Sequence, residues 1–412
     1  MLLLVHNGMA AICMGTATAV LLSVVLWAVN GPMSTQHQIT QLAGVTCNLL
    51  GLLVSALVLL FWRNKTRVFL DRICVHQTNP QLKVAGLCSI TAILHSSDEL
   101  LICWDPTYSQ RLWCLFELAA FLKSHGRQAK LVVRPIVLGP VAIGVFAGFS
   151  MAVLSMLLLP RAGSEGGSIM TRISLLMLCG VSGMWYPISS IRSFYRSIDT
   201  MEEQLRRFRL GNATCHCCTI GHQAEPGRVK ICDREVIEQC ILKWFGSIES
   251  FEECVQTTVS SALSRQLGHF SFPVRWMFAC SSPLLWTFAA PAIRQPLVGT
   301  FFILAWSFAI PAVFMIGASL AYKLRGRMSS TCKDKAATLA CALVCLASYM
   351  GMETLAGLLS MTVLNYWQGV AAFAATMIFM TSCIWCCWAR NSHREVPEAP
   401  RTPKEILYAQ GV

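Results

Sequence analysis

The sequence predicts a mainly α, polytopic membrane protein. It has about eight transmembrane helices, a small cytoplasmic parallel β/α unit and a helical cytoplasmic insertion. Three observations predict it. Of the 412 residues, 55% are hydrophobic and 13% charged, with a mean hydropathy of +0.54, whereas a soluble domain has about 25% charged residues. Eight apolar, nearly uncharged runs approach or exceed the ~20 residues that a spanning helix needs. They lie at 9–29, 42–62, 137–159, 173–191, 276–293, 297–321, 336–359 and 367–389. Lys and Arg are spread very unevenly among the connections.

That unevenness sets the orientation. Thirty of the 33 Lys and Arg residues fall in 63–134, 192–275, 323–335 and 390–412, while Arg161, Arg172 and Arg294 lie in loops of the opposite parity. Eight spans put all four basic segments on one side, which the positive-inside rule makes cytoplasmic. The domain order becomes two spans in 1–62, a cytoplasmic unit in 63–136, two spans in 137–193, a cytoplasmic insertion in 194–274, four spans in 275–389 and a cytoplasmic tail in 390–412. Both termini and both large loops are then cytoplasmic, at a plasma membrane or endomembrane. The first run lacks a basic n-region, which favours a retained span over a cleaved signal sequence ending near Asn30-Gly31. The net charge of +12 follows from this bias and suits an anionic inner leaflet. Without an Arg-rich stripe interleaved with aromatics it is not a nucleic-acid footprint.

The first insertion reads as β-α-β-α-β. "RVFL" (67–70) is a short apolar strand candidate. Leu82, Ala85, Leu87, Ile90, Ile93 and Leu94 recur at helical spacing over 81–97. "ELLICW" (99–104) has the continuous apolar run of a buried parallel strand. Asp105-Pro106 marks a turn, and Ser109 is placed to cap an amphipathic helix that stops before Gly126. "KLVVRPIV" (130–137) supplies the third strand. In the second insertion, 197–210 is an amphipathic basic helix suited to the leaflet surface. A helix over 233–247 carries Val236, Ile237, Cys240, Ile241, Trp244 and Phe245 on one stripe, and Ser250 with Glu253 forms a capping box for a helix over 251–267.

"VFLDRICVHQ" (68–77) and "SSDELLICWDPTYSQRLWCLFELAAFL" (96–122) together resemble part of a Toll/interleukin-1 receptor (TIR) domain. The likeness rests on a strand ending in an acid, a turn ending in Tyr108, and a helix opening Trp113-Cys114 with Glu117 three residues on. The resemblance covers about 70 of the 412 residues. It implies homotypic or heterotypic protein partners through 63–136. It also marks Asp71, Tyr108, Trp113 and Glu117 as interaction or nucleotide candidates. In TIR-type NAD hydrolases an acid at the matching position engages the nicotinamide ribose, so Glu117 becomes the candidate catalytic acid with Trp113 as its stacking neighbour. The first strand and helix of that fold are missing here, as are the last ones, which favours structure or partner contact over catalysis. The whole layout also resembles multi-pass proteins expanded in dinoflagellate algae, a likeness that implies little about activity.

Other residues carry chemistry of their own. "CHCCTIGH" (215–222), followed by Cys232, offers Cys215, Cys217, His222 and Cys232 as a structural zinc set, with His216 and Cys218 beside them. Lipidation and inert thiols are the alternatives. Most of the 20 cysteines lie in spans or cytoplasmic loops and none in external loops, which argues against structural disulfides. Cys386 and Cys387 sit at the inner end of the last span, where S-palmitoylation occurs. Glu353 is the one acid within the spans and a candidate for solute or ion handling. Pro283, Pro291, Pro296 and Pro311 could break helices around the fifth and sixth spans. Asn64 and Asn212 match the glycosylation pattern but fall on the cytoplasmic side. P-loop, GxGxxG, GxSxG, HExxH and kinase motifs are absent, which removes the common enzyme classes. The leading reading is a non-enzymatic membrane-anchored interaction or signalling protein. A regulated transporter or channel and an NAD-cleaving enzyme are the rivals.

Overall fold

A computed structural model describes residues 2–30, 37–63, 65, 67–76, 79–158, 169–219, 232–267, 274–294, 296–362 and 366–393. In chain order the elements are α1 (Leu2–Asn30), α2 (His37–Phe61), α3 (Asp71–Cys74), α4 (Pro80–Ser96), β1 (Leu100–Trp104), α5 (Leu112–His125), β2 (Leu131–Pro135), α6 (Leu138–Leu158) and α7 (Ile169–Arg206). There follow α8 (His216–Thr219), α9 (Asp233–Phe245), α10 (Ile248–Cys254), a π turn (Val255–Val259), α11 (Ser260–Leu267), α12 (Val274–Arg294), α13 (Pro296–Lys323), α14 (Thr331–Thr362) and α15 (Tyr366–His393). Each of the eight predicted apolar runs coincides with a helix. Among the described residues, four helical stretches are long and apolar enough to cross a membrane: Leu3–Val29, Leu42–Phe61, Gly299–Lys323 and Thr331–Met352. Leu138–Leu154 and Ala371–Cys386 are shorter apolar helices.

The chain divides into two compact units. One comprises Met1–Lys65, Ile136–Arg196 and Phe270–Arg390; the other comprises Thr66–Pro135, Ser197–His269 and Asn391–Val412. In the first unit α12 packs against α1, α2, α6 and α13, and α13 against α14. Trp286 of α12 is fully buried. Its indole N–H donates to Thr16 Oγ1 at 3.0 Å, and a Cβ added at Gly51 would lie 2.6 Å from its ring. Only a glycine admits the indole at that approach. Asn48 of α2, also fully buried, donates to Pro283 O at 3.0 Å and Thr287 Oγ1 at 2.9 Å.

Pro283 and Pro311 do not break their helices, because α12 and α13 run through them unbroken. Ser282 Oγ bonds Ala279 O at 2.9 Å, so the carbonyl that the Pro283 ring leaves without an amide still finds a donor. Pro296 opens α13 at a first-turn position, where its missing N–H costs nothing. Large apolar side chains point outward from this unit, among them Leu21, Val25, Leu53, Leu60, Ile143, Met151, Leu178 and Phe379. In water such surface is a liability; against acyl chains it is a solvated face.

In the second unit β1 and β2 pair in parallel, with Leu100 opposite Leu131 and Trp104 opposite Pro135. The first predicted strand does not form: Arg67–Leu70 pair with neither β1 nor β2, and Val68, Phe69 and Leu70 are exposed. The Leu70 carbonyl accepts instead from Ile73 and Cys74, so Asp71 opens a helical turn rather than ending a strand. The α4 helix forms as expected, and Asn79 caps it by accepting from Gln81 N at 3.0 Å and Leu82 N at 3.2 Å.

Both predicted caps move. Ser109 does not cap α5. The Asp105 turn continues through a 3-10 turn at Tyr108–Gln110, and the buried Ser109 hydroxyl bonds Gln204 at 2.7 Å. Ser247, not Ser250, caps α10, accepting from Ser250 N at 3.1 Å. The predicted leaflet helix over 197–210 is the continuation of the fourth apolar run, in one 38-residue helix.

The two insertions fold together. α5 packs against α4, α9 and the π turn, and α11 packs against β2. Leu112, Leu115, Phe116, Leu118, Ala119, Ala120 and Phe121 are all buried. At ~100° per residue they sweep about 260° of the helix. The expected amphipathic helix is therefore a central one, with only a narrow stripe through Trp113, Glu117 and Ser124 left over. Each buried Leu or Phe contributes roughly 1.5–3 kcal/mol. Lys123 Nζ reaches across to Trp244 O at 2.5 Å, at the C-terminal end of α9, where a cation meets orphan carbonyls.

Candidate functional site

The leftover stripe of α5 is where the sequence-predicted site residues meet. Asp71 reaches the same neighbourhood through α3, and its charge acts on both Glu117 and Cys114. Burial, then the Asp71 carboxylate, pushes Glu117 up from 4.5 to about 7, partly offset by the Trp113 indole and the Arg111 guanidinium. The Trp113 Nε1–H is near enough to polarise toward Glu117 but falls short of hydrogen-bond geometry. Burial also pushes the Cys114 thiol up to about 12, which keeps it protonated and unreactive. Tyr108 is buried, and its hydroxyl donates to Cys114 O at 3.1 Å. Arg111 also pairs with Asp105, at 2.9 Å.

This arrangement can exchange a proton near neutral pH, since a carboxyl at about 7 is half ionised there. Trp113 is half-buried. It packs against a core of Val75, Ile90, Leu94, Ala120 and Phe121, on which Val236 and Trp244 also lie.

A second cluster forms at the cysteines. Cys215 and Cys217 place their sulfurs 3.3 Å apart, Cys217 and Cys218 3.9 Å, Cys217 and Cys232 3.9 Å, and Cys218 and Cys232 3.8 Å. Cys215, Cys217 and Cys218 are close enough together to hold a metal ion. Cys218 thus stands inside the group that the sequence assigns to Cys215, Cys217 and Cys232. His222, the fourth predicted ligand, lies outside the described residues, as does Asn64. The side chains of His216, Glu353 and Cys387 are also outside them. Cys386 is exposed on α15, and every cysteine described is a free thiol.

Two polar centres are not foreseen by the sequence reading. Arg192 is 0% exposed. Its guanidinium donates to Leu324 O at 2.7 and 3.0 Å, Asp334 O at 2.7 Å, Thr338 Oγ1 at 2.7 Å and Asp334 Oδ1 at 2.9 Å. It staples the end of the fourth apolar run to the end of α13 and the start of α14. Glu252, also buried, accepts from Arg209 at 2.6 Å and Leu210 N at 2.8 Å, fixing the chain after α7 onto α10. The available signal was a charge next to an apolar run in each case, which sequence alone does not separate from a solvated flank.

The class that these features define is a helical protein compatible with membrane integration, carrying a compact α/β module assembled from two insertions. Comparison with protein-family models, curated proteins and solved structures finds no match.

Proposed function

We propose that this chain is a multi-pass membrane protein with eight spanning helices, whose two insertions form one non-enzymatic cytoplasmic interaction and signalling module. The observation that carries this reading is the co-folding of residues 66–135 with 197–269 in a single unit. The α6 helix and the apolar part of α7 separate them in sequence, so they can meet only if an even number of crossings returns the chain to the side it left. Both insertions are basic, which suits the cytoplasmic side. The Arg192 staple supports the same topology, because it ties three helix ends that eight spans would set on one face.

The module offers an apolar contact surface in its first insertion. Ile73 is 79% exposed and Leu82 54%, and pairing of such units with their own kind is the TIR-like mode of use. The cysteine cluster serves this module as a structural metal centre, since four thiolates close a tetrahedral site and leave no open position for substrate.

The titration of Glu117 near neutral pH favours a second reading, in which an acid stabilises charge at a sugar carbon during NAD cleavage. The packing of Trp113 into the core weighs against it.

The test uses the full chain in detergent. Two differently tagged copies are expected to co-precipitate, and Ile73→Asp to abolish this, with no NAD turned over. NAD turnover lost on Glu117→Gln would replace the first reading with the second. Solute flux in proteoliposomes without self-association would replace both.

A further inference from the structure

We propose that Cys215, Cys217, Cys218 and Cys232 bind one zinc ion as a closed four-thiolate site, and that this ion clamps the N-terminal end of α5. The inference rests on the structural-metal reading of the cluster and adds its ligand set and its mechanical role. With Zn–S bonds of about 2.3 Å, a tetrahedral site sets its sulfurs roughly 3.8 Å apart. Of the six sulfur–sulfur edges, three are 3.8 or 3.9 Å and the Cys215–Cys217 edge is 3.3 Å; Cys215, Cys217 and Cys218 lie within 4.8 Å of one another and Cys232 falls outside that group, so closing the site needs the Cys215–Cys217 edge to open and Cys215 and Cys232 to approach. A disulfide would draw one pair to about 2.05 Å. Cys217 is instead 3.9 Å from both Cys218 and Cys232 and 3.3 Å from Cys215, within reach of all three other thiols without a bond to any.

The surroundings suit bound thiolates. Cys232 is the residue before α9, and amides of that helix's first turn serve the sulfurs. The Asp233 and Arg234 N–H groups reach Cys217, while those of Arg234 and Glu235 reach Cys232. Such donors orient and neutralise metal-bound sulfur.

The clamp follows from what adjoins Cys215. Thr214 bridges in parallel to Arg111: its N–H donates to Gln110 O at 2.7 Å, and its carbonyl accepts from Leu112 N at 3.0 Å. Leu112 N is one of the amides that a helix start leaves without an internal partner. On the other side, Arg234 donates to Leu210 O at 3.1 Å and Ala213 O at 2.5 Å. Zinc would therefore tie the α9 start, the 210–215 segment and the first turn of α5, which carries Trp113, into one rigid piece.

The experiment measures metal content and hydrogen exchange on the full chain purified in detergent. One zinc per chain is expected, with a cobalt-substituted form giving the charge-transfer and ligand-field bands of a tetrahedral tetrathiolate. Cys217→Ser, Cys218→Ser and Cys232→Ser should each lose the metal, and Cys103→Ser should keep it. Removing zinc should speed exchange at residues 110–116 by roughly tenfold, as for loss of one or two backbone hydrogen bonds. Thr214→Pro, which keeps the cysteines but removes the Thr214 N–H, should retain zinc and abolish that response. Absence of metal, or a disulfide found by thiol counting, overturns the site and the structural-metal reading with it. Full zinc in Cys218→Ser, with a mixed sulfur-nitrogen cobalt spectrum, overturns the four-thiolate set alone. Full zinc with no change in exchange at 110–116 on its removal overturns the clamp alone.

Discussion

Glu117→Gln separates a carboxylate held in place for binding from an acid that the fold tolerates. The wild-type carboxyl sits at about 7 instead of 4.5, which favours its protonated form by about 3 kcal/mol. The sign runs against the usual acidic residue. Below pH ~4.5 both folded and unfolded chains keep the proton, so Glu117 costs nothing. From ~4.5 to ~7 only the unfolded chain releases it, and stability falls as pH rises; above ~7 the penalty is complete. Glutamine keeps the shape and has no charge to bury. The variant should match wild type near pH 4 and exceed it by about 1–3 kcal/mol near pH 8. The assay is the opening free energy of residues 112–125 by hydrogen exchange of the full chain, corrected for the intrinsic pH dependence of exchange. If wild-type protection climbs between about pH 5 and pH 8, or the variant is the weaker protein near pH 8, the ionised carboxylate has a partner and the reasoning fails.

Other perturbations bear on separate parts of the molecule. Arg192→Met should cost about 3 kcal/mol or more, because it takes both guanidinium donors from the Leu324 carbonyl and one of two guanidinium partners from the Asp334 carboxylate; Arg192→Lys should rescue little, since one ammonium cannot span that set. Both are read from melting in detergent. Gly51→Ala should lower stability by about 1–3 kcal/mol through overlap with the Trp286 ring, whereas Gly8→Ala, with nothing within 4 Å of its added Cβ, should not. Asn212, although exposed, should carry no glycan; a glycosidase mobility shift lost in Asn212→Gln would invert the orientation. Acyl-exchange labelling should report a lipid removed by substituting Cys386 and Cys387 together, and an unchanged signal would leave them as plain thiols.

Long apolar runs fix their own state, so all eight helices in the membrane-compatible part could be read from the sequence alone. The Asp105 turn and the stop at Gly126, with φ of 52°, are equally local. The errors have a common origin in partners from far along the chain. "RVFL" has strand composition, but pairing needs a neighbour, and the sheet closes with two strands. Ser109 has cap chemistry, yet Gln204 takes its hydroxyl. The α5 helix looked amphipathic because its polar stripe is real; what buries the other faces comes from α9, the π turn and the insertion that holds them. Asp71, Tyr108, Trp113 and Glu117 were found together because α3 and α5 lie in one insertion. Cys218 joins the cysteine cluster through the turn of α8, which spacing along the chain does not display.

The Arg192 staple also dictates an order of events during synthesis. The guanidinium leaves the ribosome long before its acceptors, since Leu324 follows 132 residues later. At ~5–20 residues per second that interval is roughly 7 to 26 seconds. For that time the cation is without these acceptors, and α7 is not yet tied to the ends of α13 and α14. The arrival of Leu324 and Asp334 ends this freedom and latches three helices at once. A chain interrupted after α12 would therefore carry an unlatched fourth helix, a natural signal for quality control to read.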